Sequence, residues 1–290
     1  MATGTGAGGA GHPAGGPAAA VSLGARLQRR GDRDGARRAF LQALSSGHPE
    51  HAPDAAVQLG ALLHRYGDRH GARAAYQHAI ASGHPDHAPK AAVQLGIVLA
   101  EQELRTEAQQ AFGVALKSGH ADHAPKAALH FGMLLERAGD HGGAEHAYRH
   151  AATSGHPYEA PPAAIRLGLL LQGRGDHDGA RDAYQRAVDS GHPHEAPRAG
   201  LLLGALLRDA ADHAGARSAF EQVVASRHPD HAAKAAAELA DLPDLGRPTG
   251  ATSPPASSPT ATGSAPTSAS GAPAVPAPEP PPVPGPEPPP

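Results

Sequence analysis

The chain has 290 residues, 25 Lys+Arg against 28 Asp+Glu for a net charge of -3, and 40% hydrophobic but only 3% aromatic residues, with no cysteine. The missing cysteines exclude a disulfide framework, a thiolate metal site and a cysteine nucleophile, and the dispersed basic residues argue against a partner whose phosphates must be neutralised, so no nucleic-acid ligand is expected. A core short of aromatics must be built from Leu, Val, Ile and Ala, which suits closely packed helices better than sheets.

The first ten residues, from Met1 to Ala10, have neither a positive segment nor an apolar one and do not read as a secretory signal. No run of about 18 apolar residues is present to span a bilayer. A soluble, cytoplasmic protein without a membrane partner is therefore expected, with a disordered Gly/Ala-rich stretch over residues 1–17.

From residue 18 onward the chain repeats itself every 36 residues. Ser46-Gly47-His48-Pro49 returns as Ser82-Gly83-His84-Pro85, Ser118-Gly119-His120-Ala121, Ser154-Gly155-His156-Pro157, Ser190-Gly191-His192-Pro193 and Ser226-Arg227-His228-Pro229. No residue is gained or lost between copies, so every copy must build the same unit and stack in the same way. Residues 18–243 are expected to hold six such repeats and a partial last helix over 233–242.

The segment from Pro53 to Ser82 shows how one unit is made. Pro53 suits a first helical turn, where its missing N–H costs nothing. Val57, Leu59, Ala61, Leu62 and Leu63 then form an apolar helix of roughly three turns ending near Arg65. Gly67 fits a left-handed C-terminal position and Asp68 the N-cap of a second helix. That helix carries Ala72, Ala75, Tyr76, Ala79 and Ile80 on one stripe and stops at Ser82-Gly83. Small residues mark the closest approach of the helices: Gly24, Gly60, Gly96, Gly132, Gly168 and Gly204 in the first helix, and Ala36, Ala72, Ala108, Ala144, Ala180 and Ala216 in the second. The third copy departs, reading Glu101-Gln102-Glu103-Leu104 where a Gly-Asp turn is expected.

Ala56-x-x-Leu59-Gly60-x-x-Leu63, followed by Ala72-x-x-x-Tyr76 and Pro85, resembles the tetratricopeptide repeat, with similarity also to the related Sel-one-like repeats. Alanine stands for that family's tryptophan, leucine for its tyrosine, and the period is 36 instead of about 34. The resemblance implies an all-α, right-handed α-solenoid of stacked antiparallel helix-turn-helix repeats acting as a non-catalytic scaffold, with a protein or peptide partner and no cofactor. It also implies that the first helix of each pair lines a concave groove. At helical spacing the matching residues include Val57 and His64; Lys90, Val93 and Ile97; Lys126, Leu129 and Met133; Ile165 and Leu169; and Arg198 and Leu201. Apolar anchors with a basic rim suit an extended peptide bearing a hydrophobic side chain and acidic flanks. The carboxylate clamp of some family members needs asparagine, which this chain lacks.

Twenty-one histidines are the other anomaly. His48 and His51, His84 and His87, His120 and His123, and His228 and His231 are each three residues apart in the inter-repeat loops. Because they recur with the fold's period, the economical reading is a loop in which histidine helps cap the preceding helix. A metal- or pH-responsive ladder is the alternative, but two imidazoles leave a tetrahedral site half made. Self-association through the repeat ends is a further alternative. No catalytic constellation is expected: the same Ser-Gly-His is spread over the copies, and no nucleophile elbow, phosphate loop or zinc-protease motif appears. Residues 244–290 turn to Pro, Ala, Ser, Thr and Gly and are expected to be disordered with polyproline II character.

Overall fold

A computed structural model describes residues 16–243. The disorder expected for residues 1–17 and 244–290 lies outside the described residues except at Gly16 and Pro17, where the expectation is corrected because Pro17 already opens the first helix.

The described residues form thirteen helices and no strand. They run as hairpins: α1 (Pro17–Arg29) with α2 (Arg33–Ser45), α3 (His51–Arg65) with α4 (Arg69–Ala81), and α5 (His87–Glu101) with α6 (Arg105–Lys117). There follow α7 (His123–Arg137) with α8 (His141–Ala152), α9 (Ala160–Gly173) with α10 (His177–Asp189), α11 (Glu195–Asp209) with α12 (His213–Ala225), and a single α13 (Ala232–Asp241). Each helix packs on its neighbours in sequence, and each first helix also touches the first helix of the next pair. Second helices of successive pairs make no comparable contact among the described residues. The first helices therefore form one continuous inner layer and the second helices a splayed outer one.

Turn chemistry fixes the hairpin. Gly67 adopts φ 82° after α3, and the Asp68 carboxylate accepts from the Gly71 N–H at 2.8 Å to cap α4. The same Asp-to-Gly bond begins α2, α8, α10 and α12. In the third pair Glu103 takes the left-handed position at φ 59°, and Leu104 starts α6 with no side-chain cap.

Pro53 lies in the first turn of α3, as its chemistry predicts. It is the third residue of the 15-residue helix, and His48 caps the turn before it. The His48 carbonyl accepts from the Ala52 N–H at 2.9 Å, and its Nδ1 accepts from the N–H groups of Glu50 at 3.2 Å and His51 at 3.4 Å. The preceding helix is closed by serine instead: the Ser46 hydroxyl donates to the Ala43 carbonyl at 2.6 Å and accepts from the His48 N–H at 3.2 Å. The expectation that histidine caps the preceding helix is thus corrected to the following one.

Alanine and leucine fill the core, and one aromatic per repeat keys it. Tyr76 is fully buried on α4, and a Cβ placed on Gly60 of α3 would stand 2.5 Å from its ring. Phe40, Phe112, Tyr148, Tyr184 and Phe220 face Gly24, Gly96, Gly132, Gly168 and Gly204 in the same way. The intrahelical glycine, unfavourable by about 1 kcal/mol against alanine, is needed because the ring occupies its side-chain space.

Candidate functional site

The inner layer presents a different row of side chains from the one the resemblance implies. Val57, Val93, Leu129 and Ile165 are 3%, 1%, 7% and 1% exposed and belong to the core, so these four do not line a groove. Leu201, in the same row, is half-buried against the cluster of Phe220 and Val223. In the first four of these helices the more accessible row lies one residue further along, at the half-buried Gln58, Gln94, His130 and Arg166. A shift of one residue turns a side chain by about 100°, from the accessible face, which here is polar, into the packed one.

The remaining implied residues do reach this layer. His64, Lys90, Ile97, Lys126 and Met133 are half-buried, Arg198 is exposed, and Leu169 is 41% exposed. Between α5 and α7 a cavity of about 160 Å³ is lined by Ile97, Glu101, Phe112, His130, Met133 and Arg137, together with Ala100 and Leu134. His130 lies parallel to Phe112 with ring centroids 6.3 Å apart. Burial, reinforced by Lys126 and Arg166, pushes the His130 pKa down to about 4, so its ring is neutral at physiological pH. His64 Nε2 meets Glu101 Oε2 at 2.8 Å, while Arg166 stands 3.7 Å from Glu136. Lys90, Lys126 and Arg137 enter no ion pair among the described residues. The arrangement is a largely apolar hollow with Arg137 and the Glu101 carboxylate at its lining and Lys90 and Lys126 further along the same helices. A larger hollow, about 660 Å³, opens between α6 and α8 over Phe131 and Leu135; it follows from the splay of the second helices, which leaves part of the inter-repeat core uncovered.

Along the loop edge the capping imidazoles also link one repeat to the next. His84 Nε2 lies 2.9 Å from Glu50 Oε2 and His120 Nε2 lies 3.2 Å from Asp86 Oδ1. His156 Nε2 lies 3.6 Å from Asp122 Oδ1, and His228 Nε2 lies 3.2 Å from His194 Nδ1. Within a loop the paired rings lie close, stacked with centroids 4.4 Å apart for His48 and His51 and tilted by 41° at 4.5 Å for His84 and His87. One donor atom each from Glu50, His84 and His87 falls within 4.8 Å of the other two. The sequence pattern shows the histidine pair but not Glu50, which precedes His84 by 34 residues and is brought in by stacking.

No Ser–His pair of hydrolytic geometry forms in these loops. Each loop serine that precedes Gly-His donates to a helix carbonyl, as Ser82 does to Ala79 at 2.6 Å and Ser190 to Ala187 at 2.6 Å, and His84 Nδ1 faces backbone N–H groups. No helix among the described residues is long and apolar enough to cross a membrane.

Residues 163–194, which span α9, α10 and the loop after them, match the family model described as tetratricopeptide repeat. The other hairpins copy the period and the glycine–aromatic contact of this matched segment, so the described region is an all-α solenoid of helix-turn-helix repeats similar to it. Solved structures share the fold. PilF of Pseudomonas aeruginosa aligns at 20% identity over 77% of this chain and 97% of its own, with a TM-score of 0.55. PilW, a type IV pilus biogenesis factor, aligns at 16% identity over 75% of this chain and 97% of its own, with a TM-score of 0.52. BtubC from P. vanneervenii gives 17% identity, 83% and 97% coverage and a TM-score of 0.51. No curated protein matches the chain at a significant level. Stacked repeats of this kind build extended surfaces.

Proposed function

We propose that the chain is a non-catalytic interaction scaffold that receives an extended protein segment along its inner, first-helix layer. The observation that supports this most is the cavity between α5 and α7, apolar at Ile97, Phe112 and Met133, with Lys90 and Lys126 on the same helices and Arg137 at its edge. Lys90 precedes Ile97 by seven residues, and Lys126 precedes Met133 by the same number, so each ammonium-bearing residue sits about 10 Å along the helix from the hollow. One apolar side chain would fill the cavity and exclude water from it, while acidic residues beside it would meet the three cations. The segment is thus an extended peptide with a large aliphatic anchor and acidic flanks, bound without bond chemistry or cofactor.

Selection of a random peptide library on the full-length chain tests this. Enriched peptides are expected to carry one large aliphatic residue near Asp or Glu. They are expected to bind at least tenfold more weakly to a variant with Lys90→Glu, Lys126→Glu and Met133→Asp that keeps native helical circular dichroism. Equal binding to the two proteins would place recognition elsewhere and defeat the reading.

A further inference from the structure

We propose that Glu50, His84 and His87 form a binding site for a divalent transition-metal ion of the zinc type, built jointly by two successive repeats. Glu50 stands in the loop before α3, and the two histidines stand at the loop before α5 and at its first residue. Their donor atoms already lie within 4.8 Å of one another, and the shortest of these separations, Glu50 Oε2 to His84 Nε2, is 2.9 Å. Donors about 2.0–2.2 Å from a tetrahedral zinc ion are about 3.4 Å apart, so side-chain rotation of roughly an ångström closes the site. Two imidazoles and a carboxylate select a zinc-, nickel- or copper-like ion over magnesium or calcium. Three protein donors leave the fourth position to water.

The donor set separates this loop from its copies. The longer Glu50 side chain reaches across, where the next loops offer Asp86 and Asp122, and the loop of His156 has Glu159 in place of the second histidine. Nδ1 of His87 is buried with no hydrogen-bond partner, as is that of His231 in the loop of His228, but there the preceding loop offers His194 in place of a carboxylate.

The cap dictates how an ion would enter. His84 Nδ1 accepts from the N–H groups of Asp86 at 3.2 Å and His87 at 3.3 Å, so the neutral ring carries its proton on Nε2 and presents that atom to Glu50. A metal bound at Nε2 takes the place of that proton, which moves to Nδ1. The amides of Asp86 and His87 then lose their acceptor. Metal binding and helix capping are therefore coupled through one imidazole, which limits the affinity and supplies a signature that casual surface binding lacks.

Isothermal titration of the metal-free full-length protein with zinc chloride at pH 7.5 is the test, with amide exchange followed on the loaded protein. One site tighter than the other histidine loops is expected, weakened at least tenfold by Glu50→Gln and by His87→Ala and unchanged by His123→Ala. Zinc is expected to raise the melting temperature of the wild type but of neither weakened variant, and to speed exchange at Asp86 and His87. If His87→Ala does not fold, Glu50→Gln, which alters an exposed side chain, carries the test. Zinc uptake that is the same in Glu50→Gln and His87→Ala as in the wild type, or spread evenly over the loops, would mean an adventitious ion only and overturn the proposal.

Discussion

The Tyr148 hydroxyl in α8 donates to the Glu136 carboxylate in α7 across 2.5 Å. One repeat later Tyr184 donates to Gln172 at 2.8 Å, but the Tyr76 hydroxyl is buried with no partner. The residue that would accept from it is His64, which turns instead to Glu101. Burial accordingly pushes the Tyr76 pKa up to about 12. Removing an unsatisfied buried hydroxyl is neutral or favourable, whereas breaking a bond to a carboxylate costs about 1.5–3 kcal/mol. Tyr76→Phe is therefore expected to leave stability unchanged or raise it, and Tyr148→Phe to lower it. Urea denaturation of the two variants decides, and an equal loss in both would contradict the assigned partners.

Two helical glycines should respond in opposite senses to the same substitution. A methyl group on Gly60 would meet the Tyr76 ring at 2.5 Å, while one on Gly113 in α6 would meet nothing within 4 Å. Overpacking costs about 1–3 kcal/mol, and a free mid-helix site gains roughly 0.5–1 kcal/mol from alanine. Thermal melts should therefore show Gly60→Ala destabilised and Gly113→Ala stabilised.

The α5–α6 turn can be repaired. Glu103 holds φ 59°, a conformation that costs most L-residues about 1 kcal/mol and glycine little. Glu103→Gly is expected to stabilise the protein by up to about 1 kcal/mol, measured as a higher midpoint in urea. A lower midpoint would show that the side chain makes a contact worth more than the strain.

Acid should weaken the array through histidines that are neutral in the fold. Burial is the main cause that pushes His130 and His123 down to about 4, with Lys126 and Arg166 facing the first, and His120, Lys90 and Lys126 outweighing Asp122 at the second. Both folded values lie below the ordinary imidazole value of about 6.5. Their stabilisation is thus fully present above about pH 6.5 and is lost as pH falls toward 4. His130→Gln, which installs the residue found at Gln58 and Gln94, should reduce the drop in melting temperature between pH 7 and 4.5. An unchanged drop would assign the acid limb to other groups.

The glycines, aspartates and prolines of the sequence locate the helices because each acts on its own stretch of backbone: Gly67, Asp68 and Gly83 do what their neighbours in the chain require. The glycine row announces close packing, but its partner, an aromatic 16 residues on, is visible only after the hairpin is closed. The inner face is harder to read, since Val57 and Ala61 are both apolar at helical spacing and only the angle between neighbouring pairs decides which is covered. Glu50 is out of reach of any local reading, because its contact with His84 exists only between repeats. The third hairpin shows the cost of losing local signals together: where other second helices open with a capping aspartate and a glycine three residues on, this one has Leu104 and Glu107, and Glu107 instead pairs with Arg73 at 2.9 Å.

That hairpin also sets how the solenoid would respond to force. In a one-dimensional array each unit holds only its neighbours, so tension applied at the two ends passes in full through every hairpin in series. The units share the aromatic key, and although Ala211 also stands at positive φ before α12, only α6 among the second helices combines such a residue with the loss of its capping aspartate. A pulled molecule should yield there first, and the early extension in an optical-trap record would correspond to one hairpin near the middle of the array.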